Sequence, residues 1–246
     1  AVAGLSIDIT PQRDAIRLRD ELAASQQEAI EELRLSREET VERLVHALSL
    51  RDSTTGDHVI RIGRLAAYLA NRLGLPARQV ELLRLAAPMH DIGKIGTPDD
   101  ILLKPGPLTA AERREMERHA AVGHEILAES QSELLRMAAR IALTHHERYD
   151  GTGYPHGLAG EAIPIEGRIT AVADVFDALL SERSYQAAMP VDQAKDLIAE
   201  GRGSQFDPDV VDALLADLDA SLTARSHGTL APADLTLRSR RSDSSS

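Results

Sequence analysis

Nine histidines and no cysteine stand in this 246-residue chain, so any metal it holds must sit on nitrogen and oxygen. Two of the histidines, His145 and His146, are adjacent in the stretch THHERYDGTGYPHG, where an apolar, helix-patterned segment gives way to a loop of glycines and a proline. His90 is followed by Asp91 in HDIGK. His58 opens a stripe with Ile62, Leu65 and Leu69, and His119 shares a face with Met116, Ala120, Gly123 and Leu127. His145 follows Leu134, Ala138 and Ile141, while Asp174 belongs to a polar stripe with Thr170, Asp177 and Ser181. A lone histidine on an apolar face is ordinarily a core residue bonded to a neighbour. The set reads differently, because successive members stand 26 to 32 residues apart, about one helix and one loop. Consecutive helices would then each deliver a nitrogen or a carboxylate to one centre. Five imidazoles buried together without a cation would leave many polar atoms unpaired.

The elements that must position them are helices. Hydrophobic residues make up 43% of the chain but aromatic ones only 2%, so the core has to be built from Leu, Ala, Ile and Val, a composition suited to packed helices. Residues 11–50 carry no glycine and no internal proline and read as one long helix. Ile16, Ala23, Ile30 and Leu44 fall on a seven-residue lattice that Arg37 interrupts, a weakly written coiled coil or else a solvated connector. Residues 51–220 read as six or more helices. Pro76 stands near a helix start, Thr109 with Glu112 and Ser130 with Glu133 form capping boxes, and Gly74 and Gly93 are stop signals. Pro88 should kink the helix carrying His90. Residues 221–246, ending TLRSRRSDSSS, read as a polar, disordered tail.

No apolar run approaches the length needed to span a bilayer, and no signal peptide is written at the start, so a cytoplasmic setting without a membrane in this segment is expected. The formal charge of −11 argues against a nucleic-acid polymer as partner. A phosphate-bearing ligand would need concentrated local positive charge, which metal ions supply.

Together, HDIGK and HHERYDGTGYP resemble the HD-GYP family of HD metal-dependent phosphohydrolases. Further motifs follow in family order: TGDHVIR, IGTPDDILLKPGPLTAAE, ERHAAVG, ITAVADVFDAL and QFDP. The resemblance implies an all-α, HD-type helical bundle around a metal centre that hydrolyses cyclic di-GMP to pGpG, which members of the family often carry onward to GMP. Two divalent ions, iron or manganese, are implied. His58, His90, Asp91 and Asp174 would hold one; Asp91, His119, His145 and His146 would hold the other. Two ions bridged by Asp91 would lower the pKa of a shared water and aim its hydroxide at phosphorus. Lys94 would stabilise transition-state charge, and Gly153, Tyr154, Pro155 and Arg183 would meet substrate. Asp177 is expected to orient a ligand rather than to be one. His124 and His156 match no metal position.

Some members of the family hold a third metal with a glutamate where Thr54 stands here, which favours two ions. Ser184 and Gln186 replace a proline and a basic residue common after the arginine. The opening GLSIDITPQRDAI resembles the end of a PAS sensor domain, so residues 1–10 are expected to close an upstream sensor and the long helix to pair two copies in parallel. Hydrolysis of another nucleotide, such as cyclic GMP-AMP, and a non-catalytic docking module are the competing readings.

Overall fold

The structure is a computed structural model that describes residues 10–49, 56–181 and 188–227. The PAS-like stretch 1–9, Thr54, the segment with Arg183, Ser184 and Gln186, and residues 228–246 lie outside the described residues. The chain divides into two units, Ala1–Arg43 and Leu44–Ser246.

Helix α1 covers Thr10–Ser49, as the unbroken run of Ala, Glu, Arg and Leu requires. Charges four residues apart pair along it, Arg17 with Glu21 at 2.8 Å and Arg43 with Glu39 at 2.6 Å. Its apolar residues Ile16, Leu18, Leu22, Ile30 and Leu33 are exposed.

The second unit is made of short helices, and among the described residues it has no strand, only two isolated β-bridges. They are α2 (Gly56–Arg72), α3 (Ala77–Ala86), α4 (Asp99–Leu102), α5 (Ala110–Glu117) and α6 (His119–Ala128), followed by α7 (Glu133–Thr144) and α8 (Ile165–Leu180). The last three are α9 (Val191–Glu200), α10 (Pro208–Leu215) and α11 (Leu218–His227). α2 is the hub, packed on α3, α8 and α11, while α7 packs on α3, α6 and α8. The core between them is aliphatic: Ile62, Leu65 and Leu69 of α2, Leu83 of α3, Leu134 and Ile141 of α7, and Ile169 and Val172 of α8 are all buried. Aromatic rings are few there: Phe176 is fully enclosed on α8, and Tyr68 and Phe206 are also buried. Burying each such side chain stabilises the fold by about 1.5–3 kcal/mol. No described helix is long and apolar enough to cross a membrane.

Several ends follow the sequence. Thr109 and Glu112 form the capping box of α5, Pro76 is the N-cap of α3, and Gly74 takes φ +77° after α2. Others differ. Ser130 does not cap α7: its Oγ accepts from the Ser132 amide at 3.1 Å, and Ser132 holds the N-cap position with no side-chain bond. Pro88 does not kink a continuing helix. α3 stops at Ala86 and the chain tightens into 3₁₀ turns at Ala87–Met89 and Ile92–Gly96, because the proline ring has no N–H to continue the α ladder. Gly93 is not a stop but a point of close approach: a Cβ there would lie 1.9 Å from the His119 carbonyl oxygen. The boundary expected at residue 220 falls inside α11, where Ser221 is fully buried and its Oγ donates to the Leu214 carbonyl at 2.9 Å. A run of Ser, Thr, Asp and Arg reads as a tail, yet alanines and one buried serine suffice for a helix laid on α2.

Candidate metal centre

Each imidazole of the set reaches the centre from a different local device. His58 projects from the first turns of α2 and is 5% exposed. His90 caps the 3₁₀ turn at Ala87–Met89, and its Nδ1–H donates to the Ala87 carbonyl at 2.9 Å. His119 begins α6 and donates from Nδ1 to the Met116 carbonyl at 2.6 Å. His145 caps the C-terminus of α7, where its Nδ1–H is shared between the Ile141 and Ala142 carbonyls. A neutral ring whose Nδ1 donates to a carbonyl keeps its proton there, so its Nε2 carries the lone pair a metal ion would take.

These lone pairs face inward. His119 Nε2 and His145 Nε2 are 3.5 Å apart, and His90 Nε2 is buried without a hydrogen-bond partner, 3.3 Å from Asp91 Oδ2. Acceptors turned toward acceptors at such distances repel unless a cation stands among them. The donor set and the orphaned His90 nitrogen therefore fit a divalent cation.

The side chains form two groups, His58 with His90 and Asp174, and Asp91 with His119, His145 and His146. Within each, the candidate ligand atoms all lie within 4.8 Å of one another. His145 and His146 join the same group because α7 ends at Thr144 and both rings lie beyond its regular 100° advance. Asp91 belongs to the second group but also turns an oxygen toward the first. Its Oδ1 lies 3.4 Å from His119 Nε2 and 3.7 Å from His145 Nε2, while Oδ2 faces His90 and accepts from Lys94 Nζ at 2.7 Å.

Electrostatics separate the groups. Burial lowers the His58 pKa, but Asp174 and Asp177 outweigh it and raise the ring to about 9. His90 is likewise raised, against its burial, chiefly by Asp91. His119 is pushed down to about 4 by burial, with Asp91 opposing, and His146 falls well below its ordinary value for the same reason. Burial would raise both Asp91 and Asp174, yet Lys94 and His90 hold the first, and His58 and His90 the second, well below the usual carboxylate range.

Asp177 is fully buried and accepts the His58 Nδ1–H at 2.6 Å, the orienting role expected of it. Tyr154 stacks on His146 with ring centroids 4.7 Å apart. Burial and the Asp91 charge raise its phenol pKa, keeping the hydroxyl protonated. Gly153 is required by packing, since a Cβ would meet the Arg148 amide at 2.3 Å and the His146 carbonyl at 2.6 Å. His124 lies outside both groups, its Nδ1 on the Ala139 carbonyl. Two features escaped the sequence. Glu147, 4% exposed, accepts from the His156 and Leu158 amides and so ties the glycine loop back to the end of α7. A glutamate in a polar loop has no periodicity to betray burial. The second feature is the pair of arginines on Asp177, described below.

A helical bundle closed around a His and Asp cluster able to bind metal defines the class. The HD domain family model matches residues 19–210, and this chain belongs to that family. The chain is 49% identical over 201 residues to the cyclic di-GMP phosphodiesterase response regulator RpfG of Xanthomonas campestris pv. campestris, covering 82% of this chain and 52% of that protein. It is 42% identical over 194 residues to the 3'3'-cGAMP-specific phosphodiesterase 2 of Vibrio cholerae, covering 79% of this chain and 37% of that protein. It thus spans about half or less of these relatives. A cyclic GMP-AMP phosphodiesterase structure from V. cholerae shares the fold, with a TM-score of 0.61 at 20% identity over 77% of this chain and 50% of that one.

Proposed function

We infer that this domain is a metal-dependent phosphodiesterase that opens cyclic di-GMP to linear pGpG, as the output part of a bacterial signalling protein. The observation that carries this reading is Asp91, whose two carboxylate oxygens face different nitrogen sets. His58, His90, Asp91 and Asp174 would hold one ion and Asp91, His119, His145 and His146 the second; iron or manganese suits the nitrogen and oxygen donors. When bound, two such ions activate water and neutralise phosphate oxygens.

The chain's own residues do the rest. The carbonyl-held imidazoles keep Nε2 lone pairs aimed at fixed points, so the site is organised before substrate arrives. Lys94 brings a compact cation to Asp91, positioned to offset charge gathering on the phosphate. The Tyr154 hydroxyl, held protonated, can donate to substrate while its ring fixes the plane of His146. Arg183 captures a phosphate or a guanine. The cyclic di-GMP reading draws on the relative at 49% identity; cleavage of 3'3'-cGAMP is the second reading, drawn from the one at 42%.

Protein prepared anaerobically with excess iron or manganese should contain close to two ions per chain and yield pGpG from cyclic di-GMP, separated by chromatography. A stable ratio near three, or turnover of cGAMP alone, would overturn the corresponding part. Arg183→Ala should keep both ions and chiefly raise KM. The exposed Ile16, Ile30 and Leu33 of α1 support a parallel homodimer through that helix below a sensor domain. Light scattering with and without residues 1–50 tests it, and a monomer in both cases removes it.

A further inference from the structure

Asp177 never reaches the centre, yet it is the most heavily bonded carboxylate near it. Oδ1 accepts from Arg61 Nε at 2.7 Å and from Arg225 Nε at 2.6 Å. Oδ2 accepts from His58 Nδ1 at 2.6 Å, from Arg61 Nη2 at 3.0 Å and from Ser181 Oγ at 3.1 Å. The Nη2 atoms of both arginines also donate to Ser181 Oγ, each at 2.9 Å. A carboxylate with no exposed surface could in principle turn about its Cβ–Cγ bond, but the Arg61 fork on both oxygens and the Arg225 Nε–H on Oδ1 hold it in one orientation. That orientation points Oδ2 at His58.

The two arginines come from opposite ends of the domain. Arg61 lies one turn after His58 on α2. Arg225 lies on α11, beyond residue 210, where the HD domain match ends, and α11 packs along α2. We propose that Arg225 is a positioning residue for the metal centre: acting through Asp177 and Ser181, it fixes the His58 ring so that Nε2 faces His90 and Asp174, and so ties the C-terminal helix to one half of the site. The proposal rests on the reading of these residues as metal ligands. It also gives α11 a part in metal binding, although none of its residues is in either candidate ligand group.

The test uses the full chain, stripped of metal and titrated with Mn²⁺ against a competing chelator, so that two binding steps are resolved without any measurement of turnover. Arg225→Ala should weaken one step about tenfold and leave the other unchanged, in line with the loss of an outer partner of a ligating histidine. Asp177→Asn should weaken the same step, and adding Arg225→Ala to it should cost nothing further, because both changes break one chain of contacts. Thr223→Ala, on the exposed face of the same helix, should leave both steps at the wild-type value. Arg225→Lys keeps the charge without the fork and should fall between wild type and alanine; it serves equally if the alanine variant does not fold. Unchanged Mn²⁺ binding in the Arg225 variants, or losses that add to those of Asp177→Asn, would overturn the proposal. Wild-type protein that binds no Mn²⁺ would instead overturn the metal reading beneath it, and the two failures are told apart by the wild-type titration alone.

Discussion

The two halves of the centre are built from the same residue types but held by different means. In the Asp91 half, His119 and His145 donate to backbone carbonyls of the turns that precede them. In the other half His90 also donates to a backbone carbonyl, that of Ala87, but His58 donates to a side chain, and that side chain is itself held by two arginines and a serine. Protonation follows the same division. Carboxylates on both nitrogens raise His58 to about 9, whereas burial without a carboxylate behind the ring leaves His119 at about 4. A backbone-held ring is set once its turn has folded; a ring held by a side chain can be tuned by residues far away in sequence.

The largest effect that can break this comparison is loss of the residue common to both halves. Asp91→Ala should release at least one ion and lower turnover by on the order of 10⁴-fold. Elemental analysis and a chromatographic assay read both, and retention of two ions with near-normal hydrolysis would show the halves are not joined there. Next in size, Asp177→Asn should weaken manganese binding in the His58 half alone by about 10–100-fold. An equal fall in both halves would mean that the two supports are not independent.

Proton release sharpens the comparison further. At pH 7.5, below about 9, the metal-free His58 carries a proton that an incoming ion must expel, whereas His119, above about 4, is already neutral. Calorimetry in buffers of different protonation enthalpy should therefore find more protons released on filling the His58 half, where His90 is raised as well, than on filling the other. The sign for stability of the metal-free chain is opposite in the two halves. The His58 contribution is whole below 6.5 and is lost as pH rises through about 9. Neutral burial of His119 costs stability as pH falls from 6.5 toward about 4. The smallest effect lies outside both halves: Thr109→Ala removes the α5 cap, should lower stability by about 1 kcal/mol, and should leave metal content unchanged, as thermal unfolding and elemental analysis would show.

Much of the centre was legible because ligands on helices obey periodicity. His58, His119 and His145 each stood on an apolar stripe, and their spacing of one helix and one loop placed them on successive elements. The long helix from residue 11 was equally plain, since nothing in it interrupts the ladder. Capping signals served less well where two serines competed, at Ser130 and Ser132, because the choice turns on which backbone amide is within reach.

The sequence by itself determined the helical class, from residue type and local period, and the family motifs it carries named the seven candidate ligands that the structure draws into two groups. Only the tertiary structure decided which oxygen of Asp91 faces which half, that Gly93 exists to admit α6, and that Arg225 closes on Asp177 from 48 residues away. The reason is physical. Periodicity reports which face of a helix is buried, whereas the direction of a carboxylate oxygen depends on donors from elements that meet only when the chain has packed, and those distances are written in no local pattern.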